Sequence, residues 1–81
     1  MKDNEIFCKN TLILRKHLGM TQKDFAKALH IGVRSLSWIE KGRIPDRLGA
    51  TILIQIYFCF GIMPSEMFCE NLPLHKVHPN R

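Results

Sequence analysis

The chain has few cysteines, no long hydrophobic run and no leader-like start. Its three cysteines are odd in number and widely spaced, which excludes a complete disulfide framework and favours a reducing compartment. The longest apolar tract, residues 50–63, is interrupted by Gln55 and Gly61 and falls short of the roughly 20 residues that a membrane-spanning helix needs. No charged segment leads into an apolar stretch at the N-terminus, so no signal peptide is expected. We therefore expect a cytoplasmic protein without a membrane partner.

Acidic residues are also scarce. Seven Asp and Glu stand against twelve Lys and Arg, so the 81-residue chain carries a formal charge of +5. This balance raises the expectation of a polyanionic partner, although charge alone fits a solvated basic surface equally well. Hydrophobic residues make up 46% of the chain, which is typical of a folded globular protein, and the length allows one small domain of marginal stability.

The usual signatures of catalysis and of metal binding are missing. The sequence has no phosphate-binding loop, no nucleophile elbow and no paired carboxylates in an evident pocket, so we expect no enzyme activity. Cys69, His75 and His78 could in principle ligate zinc, but their spacing matches no common site and a fourth ligand is missing. We expect no metal, no cofactor and no small-molecule ligand.

The first half of the chain has helical periodicity broken at regular points. A helix is predicted from Asn4 to Leu18, because this stretch lacks Pro and Gly and is followed by Gly19. Its buried face is expected to consist of apolar and small residues at helical spacing, namely Phe7, Thr11, Leu14 and Leu18. Residues 21–24 form a capping-box pattern, in which the Thr21 hydroxyl and the Asp24 carboxylate each accept a backbone N–H, so a second helix should run to about Leu29.

A tight turn and a third helix follow. Residues 30–32, His-Ile-Gly, interrupt the pattern, and a short helix is predicted from about Val33 to Lys41, where Gly42 stops it. The two short helices are expected to pack closely at Ala26. A wedge of larger apolar residues should fix their angle, namely Leu29, Ile31, Leu36 and Ile39.

The second half predicts two further helices and a tail. A fourth helix, roughly Leu48 to Phe60, is apolar nearly all round, so one face should meet the core and the other a partner. A short fifth helix is predicted from Pro64 to Cys69. The fold class is therefore all-α, with one domain at residues 1–69 and an irregular C-terminal tail at residues 70–81.

Several short motifs follow one another along the chain: Leu14-Arg15, Gly19-Met20-Thr21-Gln22, Ala26 with Leu29, Ile39-Glu40-Lys41-Gly42, and Phe60-Gly61. Through these motifs residues 14–68 resemble the Cro/phage-repressor (XRE-type) helix-turn-helix family. The resemblance implies a five-helix, lambda-repressor-like DNA-binding domain of bacterial or phage origin. Its helix-turn-helix would lie at about residues 22–41, with the second helix of the motif in the major groove of duplex DNA.

The resemblance also implies roles for individual residues. The base-contacting residues would be Val33, Arg34, Ser37 and Trp38. The phosphate-contacting residues would be Gln22, Lys23, Gly32, Lys41 and Arg43. Arg15 and Glu40 would form a partly buried structural ion pair, and Gln22 could also brace the reading helix.

Two positions depart from the family pattern. His30 lies where the family usually has Gly, so it must either adopt a positive φ, at a cost of roughly 1 kcal/mol, or alter the turn. Trp38 replaces a polar or basic residue, and packing against a sugar or a neighbouring element is as plausible for it as a base contact. Arg34 is the best candidate for readout, because a guanidinium can donate two hydrogen bonds to one guanine.

The predicted function is sequence-specific binding of double-stranded DNA by a transcriptional repressor. There are more apolar positions than one small core needs, and we expect some of them to form a homodimer surface, with candidates at Leu12, Ile13, Ile54 and Phe58. A homodimer would require a palindromic operator. The alternative is a protein-interaction or antitoxin-like module on the same fold, acting through the apolar face of the fourth helix.

Overall fold

The computed structural model describes residues 2–44 and 49–77. Within these ranges the chain folds into helices and turns without a strand, which confirms the all-α class. The α-helices are α1 (Lys2–Leu18), α2 (Gln22–Ala28), α3 (Val33–Glu40) and α4 (Gly49–Phe60), and two short 3₁₀ helices follow at Pro64–Phe68 and Leu74–Lys76. The start of the fourth helix, predicted at Leu48, lies outside the described residues.

The predicted fifth helix is of the 3₁₀ type and ends at Phe68 rather than Cys69. Its backbone bonds join residues three apart, with the Glu66 N–H donating to Met63 O at 2.9 Å and the Cys69 N–H donating to Glu66 O at 3.2 Å. Such tight turns are usual only in short segments. The described chain therefore has four α-helices, and the count of five is reached only by including this 3₁₀ helix.

Helix α1 ends through backbone geometry that Gly19 permits. Gly19 has φ of 69°, and the N–H groups of Gly19 and Met20 donate to the carbonyls of Lys16 and Arg15 at 3.1 and 3.2 Å. This crossed pair of bonds is a Schellman motif, which satisfies carbonyls that the helix end would leave unpaired. The face predicted to be buried is buried along its whole length, at Phe7, Thr11, Leu14 and Leu18.

The connection between α2 and α3 repeats the same motif with a histidine in place of glycine. His30 has φ of 60°, its N–H donates to Lys27 O at 3.1 Å, and the Ile31 N–H donates to Ala26 O at 3.0 Å. Of the two expected outcomes for His30, the positive φ is therefore the one adopted. At the start of α2, the Thr21 hydroxyl accepts from the Asp24 N–H at 3.1 Å, which is the Thr21 half of the predicted capping box.

The core is built from buried side chains of all four α-helices and of the segment after α4. Ala26 is buried at the close approach, and the larger wedge residues Leu29, Leu36 and Ile39 are buried, with Ile31 half-buried beside them. From α4, Ile52 and Ile56 enter the core, and the Phe60 ring stacks on Phe25 with 5.9 Å between centroids. Apolar burial thereby fixes the position of α3 relative to the rest of the chain.

The residues after α4 are held against α1 by polar contacts to the backbone. The buried Asn10 amide donates to Met67 O and to Cys69 O, both at 2.8 Å. Further along, His17 Nε2 donates to Val77 O at 2.7 Å, and Val77 is buried. The described part of residues 70–77 thus packs on the helical core, while the domain boundary at residue 69 stays a prediction. Residues 78–81, including His78, lie outside the described residues.

Candidate nucleic-acid interface

Helix α3 has one buried side and one exposed side. Leu36 and Ile39 are fully buried, whereas Val33 and Trp38 are 44% and 46% exposed. Arg34 is exposed and Ser37 is half-buried. The exposed side of α3 thus combines one arginine with two apolar side chains. We define the reading edge as Val33, Arg34, Ser37 and Trp38.

The start of α3 is open. Gly32 is its N-cap residue with φ of −76°, and no side chain accepts the N–H groups of the first turn. A Cβ added at Gly32 would meet no atom within 4 Å. Neither the backbone conformation nor crowding therefore requires glycine at this position, and the surface above it is free for the backbone of a partner to approach.

The end of α3 is tied to α1 and α2 through Glu40. Arg15 Nε donates to Glu40 Oε2 at 2.6 Å, and Arg15 Nη2 donates to Glu40 Oε1 at 3.3 Å. Gln22 Nε2 donates to Glu40 Oε1 at 2.7 Å. The two partners predicted as an ion pair are therefore in contact, with side chains 16% and 8% exposed. Because each end of the pair is hydrogen-bonded, the position of α3 is held by polar as well as apolar contacts.

Arg15 also contacts the backbone of the segment that connects α1 to α2. Its Nη1 donates to Met20 O at 2.9 Å, on the segment between α1 and α2. The sequence analysis placed Arg15 opposite Glu40 but missed this carbonyl, because the contact depends on how the chain turns after Gly19 rather than on a pattern of residue types. Three of the five N–H donors of this guanidinium are thus engaged in contacts within the protein.

The predicted phosphate-contacting cations are all on the surface. Lys23 is exposed in the first turn of α2, and Lys41 and Arg43 are exposed just after α3. The Arg43 N–H donates to Trp38 O at 2.9 Å, which fixes the backbone there. Gln22 is half-buried, and one N–H of its amide is committed to Glu40. The structure thus brings together the start of α2 and the end of α3, with Gln22 joining them.

The cysteines and histidines do not assemble a metal site in the part of the chain that the structure describes. Cys8 is buried, and burial raises the pKa of its thiol, which keeps it protonated and unreactive. Cys69 and His75 are described and exposed. No helix among residues 2–44 and 49–77 combines the length and the hydropathy needed to span a membrane.

The comparison with protein families identifies the chain. A family described as Helix-turn-helix matches residues 13–56, which is more than half of the chain and includes α2, α3, Arg15 and Glu40. The chain belongs to this helix-turn-helix family, of the Cro/phage-repressor (XRE) type, whose members are DNA-binding transcription regulators rather than catalysts. Among curated proteins and among solved structures, none gives a significant match.

Proposed function

We propose that the protein is a sequence-specific repressor that lays α3 in the major groove of duplex DNA. The observation that carries the proposal is the exposure of Val33, Arg34 and Trp38 on a helix whose opposite side is fully buried. A rigid helix with a protruding polar and apolar edge fits the major groove, which admits one α-helix.

Base readout is assigned to the reading edge. Arg34 can donate two parallel hydrogen bonds to O6 and N7 of a guanine, a contact that contributes about 1–3 kcal/mol of discrimination. Val33 can contact a thymine methyl group, and the Ser37 hydroxyl can donate or accept. Trp38 lies one turn further along α3, where its ring can pack on a base or on the neighbouring sugar.

Phosphate contacts are assigned to the residues that flank this edge. Lys23, Lys41 and Arg43 supply positive charge without sequence preference, through the release of counterions from DNA. Gly32 leaves the first N–H groups of α3 open toward a phosphate. Gln22 has one amide N–H on Glu40 and a second that can reach a phosphate, so one side chain can bind DNA and brace α3 together.

Repression follows from occupancy of an operator by two copies. A homodimer with a two-fold axis presents two α3 helices, so its site is palindromic with half-sites about one helical turn apart. The small size of the domain supports this, because one reading edge contacts few base pairs and offers little specificity alone.

Selection of bound duplexes from a random pool tests the proposal. We expect a recovered site with two inverted half-sites, each with at least one guanine whose loss weakens binding by roughly tenfold or more. Recovery of no enriched sequence, at a salt concentration where the protein does bind DNA, would show that the reading edge does not read bases.

One observation favours a second function, a protein-interaction module. Helix α4 exposes Ile54 and Phe58, the latter by 73%, which suits a protein partner. The two functions differ in their response to salt. As the salt concentration rises, a DNA-binding protein loses affinity for mixed-sequence duplex, and the slope of log affinity against log salt concentration grows with the number of phosphates contacted. An interaction-only module binds such DNA weakly at any salt concentration.

A further inference from the structure

Arg34 and Trp38 lie one turn apart on the exposed side of α3. Four residues separate them along the helix, so their side chains share one face. Arg34 is exposed, and Trp38 is 46% exposed. Side chains on a helix lean toward its N-terminus, so the Trp38 ring extends over the turn that contains Arg34. The two groups can therefore meet without any change in the backbone of α3.

The Arg34 guanidinium is not held by other groups. In the described part of the chain it has no hydrogen bond, ion pair or ring contact. The one acidic residue of α3 is Glu40, and its carboxylate is already bonded to Arg15 and Gln22. A free arginine side chain has many rotamers, and ordering it on binding costs free energy. A contact that orders Arg34 toward a base would reduce this cost.

Trp38, in contrast, projects from a fixed backbone. Trp38 O accepts the Lys41 N–H at 3.1 Å and the Arg43 N–H at 2.9 Å, and the next residue, Ile39, is fully buried. A tryptophan side chain also has few rotatable bonds, so holding it in one orientation costs little conformational entropy. The ring is therefore suited to position the guanidinium, rather than the reverse.

We propose that Trp38 is a positioning residue for Arg34: when Arg34 donates to a guanine, the indole ring stacks on its guanidinium and sets how strongly that base is preferred. This inference rests on the proposed DNA-binding function and deepens it. A guanidinium is planar, so its edge can donate to O6 and N7 while its face lies on an aromatic ring. The attraction between cation and ring strengthens when water is removed, so the stack forms in the groove rather than in free solution.

Three roles for the Trp38 ring differ in the base pairs that they affect. If the ring stacks on Arg34, its loss weakens the preference for the guanine that Arg34 reads. If the ring contacts a base of its own, its loss relaxes the preference at a different base pair. If the ring contacts only a sugar, its loss weakens binding to all sequences alike.

A double-mutant cycle on the selected operator tests the stack. The affinities of wild type, Arg34→Ala, Trp38→Ala and the double variant are measured for the operator and for a duplex without the guanine. We expect Trp38→Ala to lower the preference for that guanine by about three- to tenfold, and to have no further effect on it once Arg34 is replaced. Trp38→Phe should retain part of the preference, because a phenyl ring also stacks on a guanidinium.

Val33→Ala is the matched control, because Val33 is the other exposed apolar residue of the reading edge, at 44%. It should relax the preference at a different base pair, and its effect should add to that of Trp38→Ala. Circular dichroism shows whether each variant is folded.

Fluorescence gives a second measurement, because Trp38 is the only tryptophan of the chain. Quenching by acrylamide, with excitation that tyrosine does not absorb, reports how accessible the ring is. We expect the operator to protect the ring in wild type and in Lys23→Ala. In Arg34→Ala at saturating concentration this protection should be largely lost, whereas the free proteins should be quenched equally.

The outcomes separate this inference from the proposed function. A guanine preference that is unchanged in Trp38→Ala, or losses that add in the double variant, would overturn the inference and leave the function standing. Equal protection of the ring in wild type and in Arg34→Ala would also overturn the inference alone. A wild-type protein without preference at any base pair would overturn the function, and the inference with it.

Discussion

Glu40 is the residue at which three helices meet. It is the last residue of α3, and its carboxylate accepts from Arg15 of α1 and from Gln22 of α2. The pair with Arg15 is largely removed from water, so its value lies less in net stability than in holding one arrangement of the helices. The orientation of the reading edge therefore depends on Glu40, a residue that lies outside that edge.

Replacement of Glu40 by Ala should lower the free energy of unfolding by about 3 kcal/mol, because it leaves the Arg15 guanidinium poorly exposed and without its anionic partner. The measurement is urea unfolding at neutral pH. Glu70→Ala is the control, since Glu70 is exposed, and it should change stability by about 0.5 kcal/mol or less. Equal effects of the two substitutions would contradict the role of Glu40.

The left-handed backbone of His30 predicts a graded series of stabilities. His30→Gly should raise the free energy of unfolding by up to about 1 kcal/mol, because glycine adopts φ near 60° without strain. His30→Val should lower it by about 1 kcal/mol or more, because a β-branched residue is strained there. Thermal unfolding would rank the three proteins. A valine variant as stable as the glycine variant would mean that the turn has another conformation.

At the scale of elements, the 3₁₀ helix at Pro64–Phe68 is joined to α1 by a polar side chain and by a ring contact. Asn10, in the middle of α1, donates to Met67 O at the end of that helix and to Cys69 O just beyond it. The Phe7 and Phe68 rings stack beside these bonds, with 5.7 Å between centroids. Met63 and Pro64, at the start of this segment, line a hollow beside α4 together with Ile54, Tyr57 and Phe58.

Asn10→Ala should lower the free energy of unfolding by about 2 kcal/mol, because two backbone carbonyls lose their donor and one of them is buried. Thr11→Val is the control: it removes one hydrogen bond within α1, to Phe7 O, and should cost about 1 kcal/mol or less. Hydrogen exchange should then speed up at residues 64–69 in the Asn10 variant alone. Unchanged exchange there would mean that apolar packing, and not Asn10, holds the segment.

Elements set by local signals were predictable from the sequence, and those set by distant contacts were not. The end of α1, the start of α2 and the end of α3 follow from Gly19, Thr21 and Gly42, whereas α1 begins at Lys2 rather than at the predicted Asn4. The short helix after α4 was predicted from local signals, but its 3₁₀ geometry and its contact with Asn10, more than fifty residues away along the chain, were not.

The candidate site likewise has features that local sequence predicted and features that it did not. The exposed and buried sides of α3 follow from its helical period, and the apolar excess of α4 predicted that some of its apolar residues lie outside the core. Tyr57 was missed there, although its spacing of three from Ile54 was the signal that could have found it. Met63 and Pro64 join the hollow only because the chain turns back after Phe60, which periodicity does not report.

At the scale of the whole molecule, two exposed regions differ in charge. The reading edge on α3 combines apolar side chains with Arg34 and with nearby cations, as a surface for DNA requires. The hollow beside α4, lined by Ile54, Tyr57, Phe58, Met63 and Pro64, has no charged side chain. Because the two regions share no residue, substitutions in one should leave the other intact, and binding data from both can be interpreted separately.

The central claim is that Arg34 reads a base while the cations around α3 bind only phosphates. The most direct test measures the affinity of wild type, Arg34→Ala and Lys23→Ala for the selected operator and for its single-base-pair variants, at several salt concentrations, with Lys9→Ala of α1 as a control outside the motif. We predict that Arg34→Ala loses about 1–3 kcal/mol of discrimination at one base pair of each half-site. Lys23→Ala should weaken binding to every duplex alike and reduce the salt slope by about 1. Indistinguishable profiles for the two variants would contradict the claim.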